Sequence, residues 1–311
     1  MFISVNIRSA LDIIVRVAAA IARTRLREIF YSKKLWDFLT ANRLIGDIPF
    51  SFQAEVSGIK FKMQGPFRFI GGMYYVTYLT QGAYEAAVTT HITNVLRQCH
   101  APRVLDVGAN YGWYTIYLAK LLASRGTIFS FEPSETFFPY LKHNVELNNV
   151  HNVYLYKLPL SEKRETIQMI APKHLPRQVM LEMQVINGDV THNSTGALTA
   201  IPFDEINKME AIHPNVVKID VHGAWKKVID GMKETLYRDV EHLYLELDTN
   251  LQSPHSRNED IHHVISLLHD VGMDIYEIQN FDHRNGNVIK IDENQVSRRR
   301  RTMLYGCKES G

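Results

Sequence analysis

The run VLDVGANYGWYT at 104–115 constrains this chain more than any other: a short apolar strand enters a glycine-punctuated turn and continues straight into a helix. Gly108 and Gly112 carry no Cβ, so the backbone there can turn sharply and approach a ligand closely. The spacing is GxxxG, with Asp106 two residues ahead of the first glycine. A dinucleotide fingerprint instead reads GxGxxG and turns backbone amides and a helix N-terminus towards a pyrophosphate, which a carboxylate at the strand end would repel. The turn therefore suits a ligand without phosphates. A cationic sulfonium with an amino-acid tail is the kind of group that Asp106 would attract.

The next segment completes a βαβ unit. A helix over 114–123 and a turn at 124–126 lead to TIFSFEP (127–133), a buried strand ending in an acid, and the separation of Gly108 from Glu132 fits one helical crossover. Glu132 can accept hydrogen bonds from both hydroxyls of a ribose diol, and Pro133 stops the strand so that the side chain is aimed into the crevice. A further helix over 135–147, with Phe138, Leu141 and Val145 on one face and Asn148 and Asn149 as its stop, precedes a strand at 153–157.

VLDVGANYGWYT, FSFEPS (129–134), LKHNVELNNVHNV (141–153) and VKIDVHGA (217–224), with GAYE (82–85) upstream and LYLELD (243–248) downstream, occur in an order that resembles the FkbM family of S-adenosylmethionine-dependent methyltransferases. The resemblance runs from about Gly82 to the C-terminus. It implies an α/β fold: a Rossmann-like class I methyltransferase domain over 81–311, a seven-stranded sheet with helices on both faces, and methyl transfer to a hydroxyl of a carbohydrate or glycan-like acceptor. In that frame Glu85, Asp106, Gly108, Asn110, Gly112, Glu132 and Ser161 are the expected S-adenosylmethionine-binding residues, and Asp220 and His222 the expected catalytic pair.

The chain departs from the family pattern at one place. Where the family reads KIDVEGAE, this chain reads KIDVHGAW (218–225), so His222 and Trp225 replace both glutamates. Methyl transfer from a sulfonium is an in-line displacement, in which the protein aligns the acceptor and takes its proton as the bond forms. A neutral imidazole, which ordinarily titrates near ~6.5, can take that proton around neutral pH with Asp220 orienting it. Alternatively, His222 merely fills the glutamate position in a methyltransferase-fold binding or scaffold protein that does no chemistry. Asp220 likewise has a second reading, as a cap for the helix that starts near Trp225.

With 311 residues, 45% hydrophobic and 22% charged, the chain can bury a full α/β core and carry a short appendage. A formal charge of +2, scattered basic residues and the absence of an aromatic Pro-Pro or a Pro-Cys motif argue against a nucleic-acid partner. Cys99 and Cys307 are too far apart for metal-ligand spacing or a disulfide framework, which favours a reducing compartment and a cytoplasmic location. Glu246, Asp248 and Asn250, with Asp220, offer oxygens but not a full ligand pattern, so no metal is expected. RRRR (298–301) reads as a solvated face or the protection of an edge strand.

Residues 1–80 read as an N-terminal extension. Within 2–27, Arg8, Asp12, Arg16, Arg23 and Arg27 share one helical face, with Ile3, Ile7, Leu11 and Ile14 opposite. Asp12 and Arg16 interrupt the apolar run, leaving it too short to span a membrane and without the apolar centre of a signal peptide. Such a helix can pack on its own domain or a dimer partner, lie on a membrane through residues 1–30, or be processed away. A small hairpin over 49–63 turns at Gly58. Periodicity places the remaining helices at 86–98, 225–235 and 260–268, and strands at 216–221 and 243–247. Strands at 166–170 and 179–185 form an excursion placed to cover the acceptor site, and 275–278 with 303–307 make a closing hairpin.

Overall fold

The computed structural model describes residues 48–170, 182–185, 196–248, 254–292 and 301–308. The amphipathic segment 2–27, the first part of the 179–185 strand, Asn250 and the arginines 298–300 lie outside these residues.

Strands β1 (Pro49–Val56) and β2 (Ile59–Pro66) form the expected hairpin, with Ser57 and Gly58 at φ of 50° and 83° in its turn. Every second residue of β1, from Phe50 to Val56, is buried, as a strand with one face on a core requires. A π-helical turn (Ile70–Tyr75) and a helix (Val76–Gln81) then carry the chain to Gly82, at φ 88°. From there strands and helices alternate: the helix Ala86–Gln98, β3 (Arg103–Val107), the helix Trp113–Leu122, β4 (Thr127–Phe131), the helix Phe138–Leu147 and β5 (Val153–Tyr156). The excursion follows as a separate antiparallel sheet of β6 (Glu165–Ile170), β7 (Glu182–Val185) and β8 (Ala197–Ala200), in the order β7-β6-β8. After β9 (Val216–Ile219) come β10 (His242–Asp248), β11 (Met273–Gln279), β12 (Asn287–Lys290) and β13 (Arg301–Lys308).

The main sheet has the order β12-β11-β13-β10-β9-β3-β4-β5 and eight strands, not the expected seven. The additional strand is β12, antiparallel to β11. All four of its residues are exposed, so it has no buried apolar alternation for a sequence to display, and it is held by backbone pairing and by Lys290, whose Nζ lies 2.8 Å from Asp274 Oδ1. The expected closing pair is present, with 275–278 of β11 antiparallel to 303–306 of β13, but β13 lies between β10 and β11, inside the sheet, and β12 takes the edge.

Two apolar layers flank the sheet. One contains the β1–β2 aromatics together with the helices Ala86–Gln98 and Trp113–Leu122; the other contains Phe203–Glu210, Trp225–Asp230 and Pro254–Asp270. The N-terminal hairpin is built into the first layer, with the Phe61 and Trp113 rings edge to face at 4.9 Å. Two asparagines of the helix Phe138–Leu147 and its cap bind the free edge of β2 as another strand would. Asn144 Oδ1 accepts from Gln64 N (2.8 Å) and its Nδ2 donates to Gln64 O (3.0 Å), while Asn148 makes the same pair with Lys62 (2.8 and 2.6 Å). The expected single helix over 225–235 is two helices, Trp225–Asp230 and Lys233–Arg238. Between them Gly231 lies against the Ser161 backbone, and a Cβ there would overlap the Ser161 carbonyl.

Candidate functional site

A cavity of about 630 Å³ opens at the carboxyl ends of β3, β4 and β9. Here the sheet order runs from β3 to β4 on one side and to β9 on the other, the switch point at which open α/β sheets hold ligands. Gly108, at φ 84°, makes the turn possible: a Cβ would overlap the carbonyl oxygen of Asp220, whose own amide donates to Val107 O at 2.9 Å. The amides of Gly108 and Ala109 donate to Phe131 O at 2.9 and 3.0 Å, so the three loops are fastened to one another.

Asn110 sits at φ 52°, and its amide donates to Glu132 Oε2 at 2.8 Å. Glu132 Oε1 accepts from Ser134 N at 2.9 Å. Each carboxylate oxygen has room for a second hydrogen bond, so Glu132 keeps acceptor capacity towards the cavity it lines. Burial pushes its carboxyl up to about 7, against the pull of those two backbone bonds. Gly112, at φ 91°, opens the following helix where a Cβ would stand 2.7 Å from Leu141.

Behind the turn lies a cluster of buried charges. The parallel register sets Asp106 on β3 beside Lys218 on β9. Lys218 Nζ is 3.1 Å from Asp220 Oδ2, 3.9 Å from Glu85 Oε2 and 4.5 Å from the centre of the Tyr114 ring. Arg301 grips Glu246 through Nε (2.6 Å) and Nη2 (2.9 Å) and lies 3.5 Å from Glu85 Oε1. Glu85, a non-glycine residue at φ 45°, accepts from the Tyr114 hydroxyl at 2.9 Å, while its buried Oε1 has no hydrogen-bond partner among the described residues. Asp106 accepts from Thr115 Oγ1 at 2.6 Å.

Four buried carboxylates thus face two cations, which leaves two negative charges among them when all are ionised, and the half-buried Asp282 lies 3.8 Å from Arg301 besides. Burial drives the Glu85 carboxyl up to about 8 and raises those of Asp106 and Glu246. Burial acts on Asp220 in the same sense, but Lys218, His222 and Arg301 outweigh it and hold that carboxyl at about 2. Lys218 stays charged because Asp220, Glu85 and Asp106 overcome the cost of burying it. An added cation would relieve the excess.

Of the expected residues, Asp106, Gly108, Asn110, Glu132, Asp220 and His222 line the cavity. Gly112 supports the loop from behind, and Glu85 belongs to the charge cluster next to the lining. Ser161 does not line the cavity: it is buried, and its hydroxyl donates to Glu165, which also receives Lys227 Nζ at 2.8 Å. Asp220 directs its carboxylate to Lys218, and the helix Trp225–Asp230 has no side-chain cap. Trp225 is fully buried among the apolar residues of the second layer.

Residues 106–275 match the family model described as Methyltransferase FkbM domain. The chain belongs to the FkbM methyltransferase family. It is similar to Methyltransferase 1 of Beauveria bassiana (strain ARSEF 2860), with 23% identity over 167 residues, or 46% of this chain. The chain spans 64% of the length of that relative. Among solved structures it is similar to the methyltransferase FkbM from Methylobacillus flagellatus KT, with 14% identity, a TM-score of 0.40, and coverage of 66% of this chain and 43% of that one. A SAM-dependent methyltransferase from Aquifex aeolicus gives 12% identity, a TM-score of 0.36, and coverage of 72% and 90%.

Two residues of this FkbM chain stand at the centre of the site without having been expected there, Lys218 although it opens the KIDVHGAW run. Lys218 was legible in principle, since a lysine inside the otherwise apolar strand VVKI has to find buried partners. Arg301 was hidden in the arginine run, where a solvated role is the ordinary expectation; its pairing with Glu246 follows from β13 lying inside the sheet. The cavity also has an aromatic wall, with Tyr74 stacked on Trp113 (5.8 Å between centroids, 5° between planes) and Tyr84 beside them at 4.8 Å from Tyr74.

Proposed function

We propose that this FkbM-family chain transfers a methyl group from S-adenosylmethionine to a hydroxyl of a carbohydrate or glycan-like acceptor. The reading rests on the excess of buried carboxylates beside a switch-point cavity, with a Glu85 oxygen that lacks a hydrogen-bond partner among the described residues. A ligand carrying a sulfonium and an ammonium suits such a surplus, and Glu132 supplies the acceptor that a ribose diol needs. The cavity volume, about 630 Å³, falls within the range of cofactor and substrate sites. When bound, S-adenosylmethionine supplies an electrophilic methyl carbon.

The chain's own residues account for the remainder of the reaction. Gly108 keeps the loop thin enough for close approach, and Glu85 and Asp106 offset positive charge in a region shielded from water. On the acceptor side, Tyr74, Tyr84 and Trp113 offer ring faces while Thr77, Gln81 and Asp282 offer hydrogen bonds, a combination that suits a sugar. His222 takes the acceptor's hydroxyl proton on a ring nitrogen, beside the Asp220 carboxylate, whose ligating atom lies within 4.8 Å of it. Asp220, held ionised, favours the imidazolium that results.

The test is incubation of the full chain with methyl-labelled S-adenosylmethionine and fractionated glycans or cell extract, followed by chemical identification of the product. His222→Ala is expected to lower kcat by about 10² to 10⁴ with cofactor affinity nearly intact. Full turnover in that variant removes His222 as the base. Cofactor binding with no labelled product from any fraction favours a binding or scaffold protein. Among the described residues no helix is long and apolar enough to cross a membrane. The reading is completed by a cytoplasmic location with peripheral contact through residues 1–30, tested by liposome flotation with and without that segment.

A further inference from the structure

We propose that Cys99, Glu241 and His242 form a binding site for a zinc-type divalent metal at the end of the sheet opposite the cofactor cavity. One ligand atom from each residue lies within 4.8 Å of the others. Tetrahedral zinc with bonds of 2.0 to 2.3 Å separates its ligand atoms by about 3.3 to 3.8 Å, so closing the site takes side-chain movements of about an ångström. A thiol, an imidazole and a carboxylate are a donor set that zinc accepts, and the exposure of Glu241 leaves the fourth position open to water.

Two further observations point the same way. His242 Nδ1 is hydrogen-bonded to the Tyr305 hydroxyl at 2.9 Å, and the two rings are nearly parallel, at 12°. That bond leaves Nε2 as the nitrogen for a metal, and an outer partner on the other nitrogen is the usual arrangement around a metal-bound histidine. Cys99 is the C-cap of the helix Ala86–Gln98, so its thiol stands at the negative end of a 13-residue helix dipole, which favours a cation. The sequence showed none of this, because Glu241 and His242 lie at the start of β10, far along the chain from Cys99.

The reduced full-length protein is titrated with Co²⁺ and followed by its thiolate-to-cobalt charge-transfer absorption, with Zn²⁺ then added as competitor. The expected result is a single equivalent bound, displaced by Zn²⁺, with the band lost in Cys99→Ser and retained in Cys307→Ser. His242→Ala should weaken binding at least about tenfold, and Tyr305→Phe about 10- to 100-fold, as loss of an outer-shell partner does. Zn²⁺ should raise the melting temperature of the wild type and leave that of Cys99→Ser unmoved. Circular dichroism before metal addition checks that the variants are folded. No charge-transfer band in the wild type, or a band that survives Cys99→Ser, overturns the site.

Discussion

Strand β10 carries opposite kinds of polar chemistry at its two ends. Its carboxyl end holds Glu246, clasped by Arg301 in a cluster of buried ions around the cavity; at its amino end the buried partners of His242 and His91 are neutral tyrosine hydroxyls, while the carboxylate of Glu241 is exposed. At that second end His91 Nδ1 lies 2.8 Å from the Tyr244 hydroxyl and the Tyr305 ring packs against His91 at 4.4 Å. Burying an ion costs far more than burying a hydroxyl, so charge accumulates where it has work to do. A neutral polar group needs only a hydrogen bond to be tolerated in the core, whereas the carboxyl-end cluster sets four buried carboxyls against two cations, and burial pushes the Glu85 carboxyl up to about 8.

Lys218→Met breaks the comparison most severely. It leaves Asp106, Asp220 and Glu85 facing only Arg301, and loss of one partner from a buried ion cluster is expected to cost about 3 to 5 kcal/mol. Urea denaturation should register it, with a larger deficit at pH 8 than at pH 6 because the stranded carboxylates are then more fully ionised. Second in size is Gly108→Ala, at about 2 to 4 kcal/mol, since the new Cβ would meet the Asp220 backbone at an already left-handed position. The matching change in the hairpin, Gly58→Ala, has a similar φ of 83° but open space around it, and should cost only about 1 kcal/mol.

Glu132→Ala sharpens the comparison by separating binding from folding: cofactor affinity should fall by about 1 to 3 kcal/mol in calorimetry. The pH response carries a definite sign. Glu132 and Glu85 have folded-state pKa values raised to about 7 and about 8, so the stability they contribute to the ligand-free protein is complete below their unfolded value of about 4.3. That contribution is lost progressively as the pH rises from there to 7 and 8. Melting temperature without ligand should therefore decline from about pH 5 to about pH 8 and level off above it, while affinity for a cationic cofactor strengthens over the same window by up to about tenfold per unit for each carboxyl. Glu132→Gln should flatten the part of both trends near pH 7. Asp220 has the opposite sign, and its contribution disappears only as the pH falls towards about 2. The smallest effect belongs to the neutral end: Tyr244→Phe removes one hydroxyl partner of His91 and should cost about 1 kcal/mol at pH 7 and pH 9 alike.

The sequence by itself determined the βαβ frame, the glycine turn and the acid after β4, because these depend on local backbone freedom and on apolar periods that neighbouring residues express together. Asp106, Gly108 and Glu132 were legible for that reason, Asn110, Asp220 and His222 through the motifs that resemble the family, and all six line one cavity. Tertiary structure alone decided what depends on lateral pairing between distant strands. The interior place of β13 brings Arg301 onto Glu246, and the exposed β12 adds an eighth strand without any apolar pattern. The packing of Gly231 on the Ser161 backbone accompanies a break in the predicted helix and sets Ser161 among structural contacts, with its hydroxyl on Glu165. The register of β3 against β9 puts Asp106 beside Lys218, and the start of β10 comes to rest beside Cys99. Burial, and with it every shifted pKa in the site, is a property of these assembled neighbours, so no stretch of sequence could display it alone.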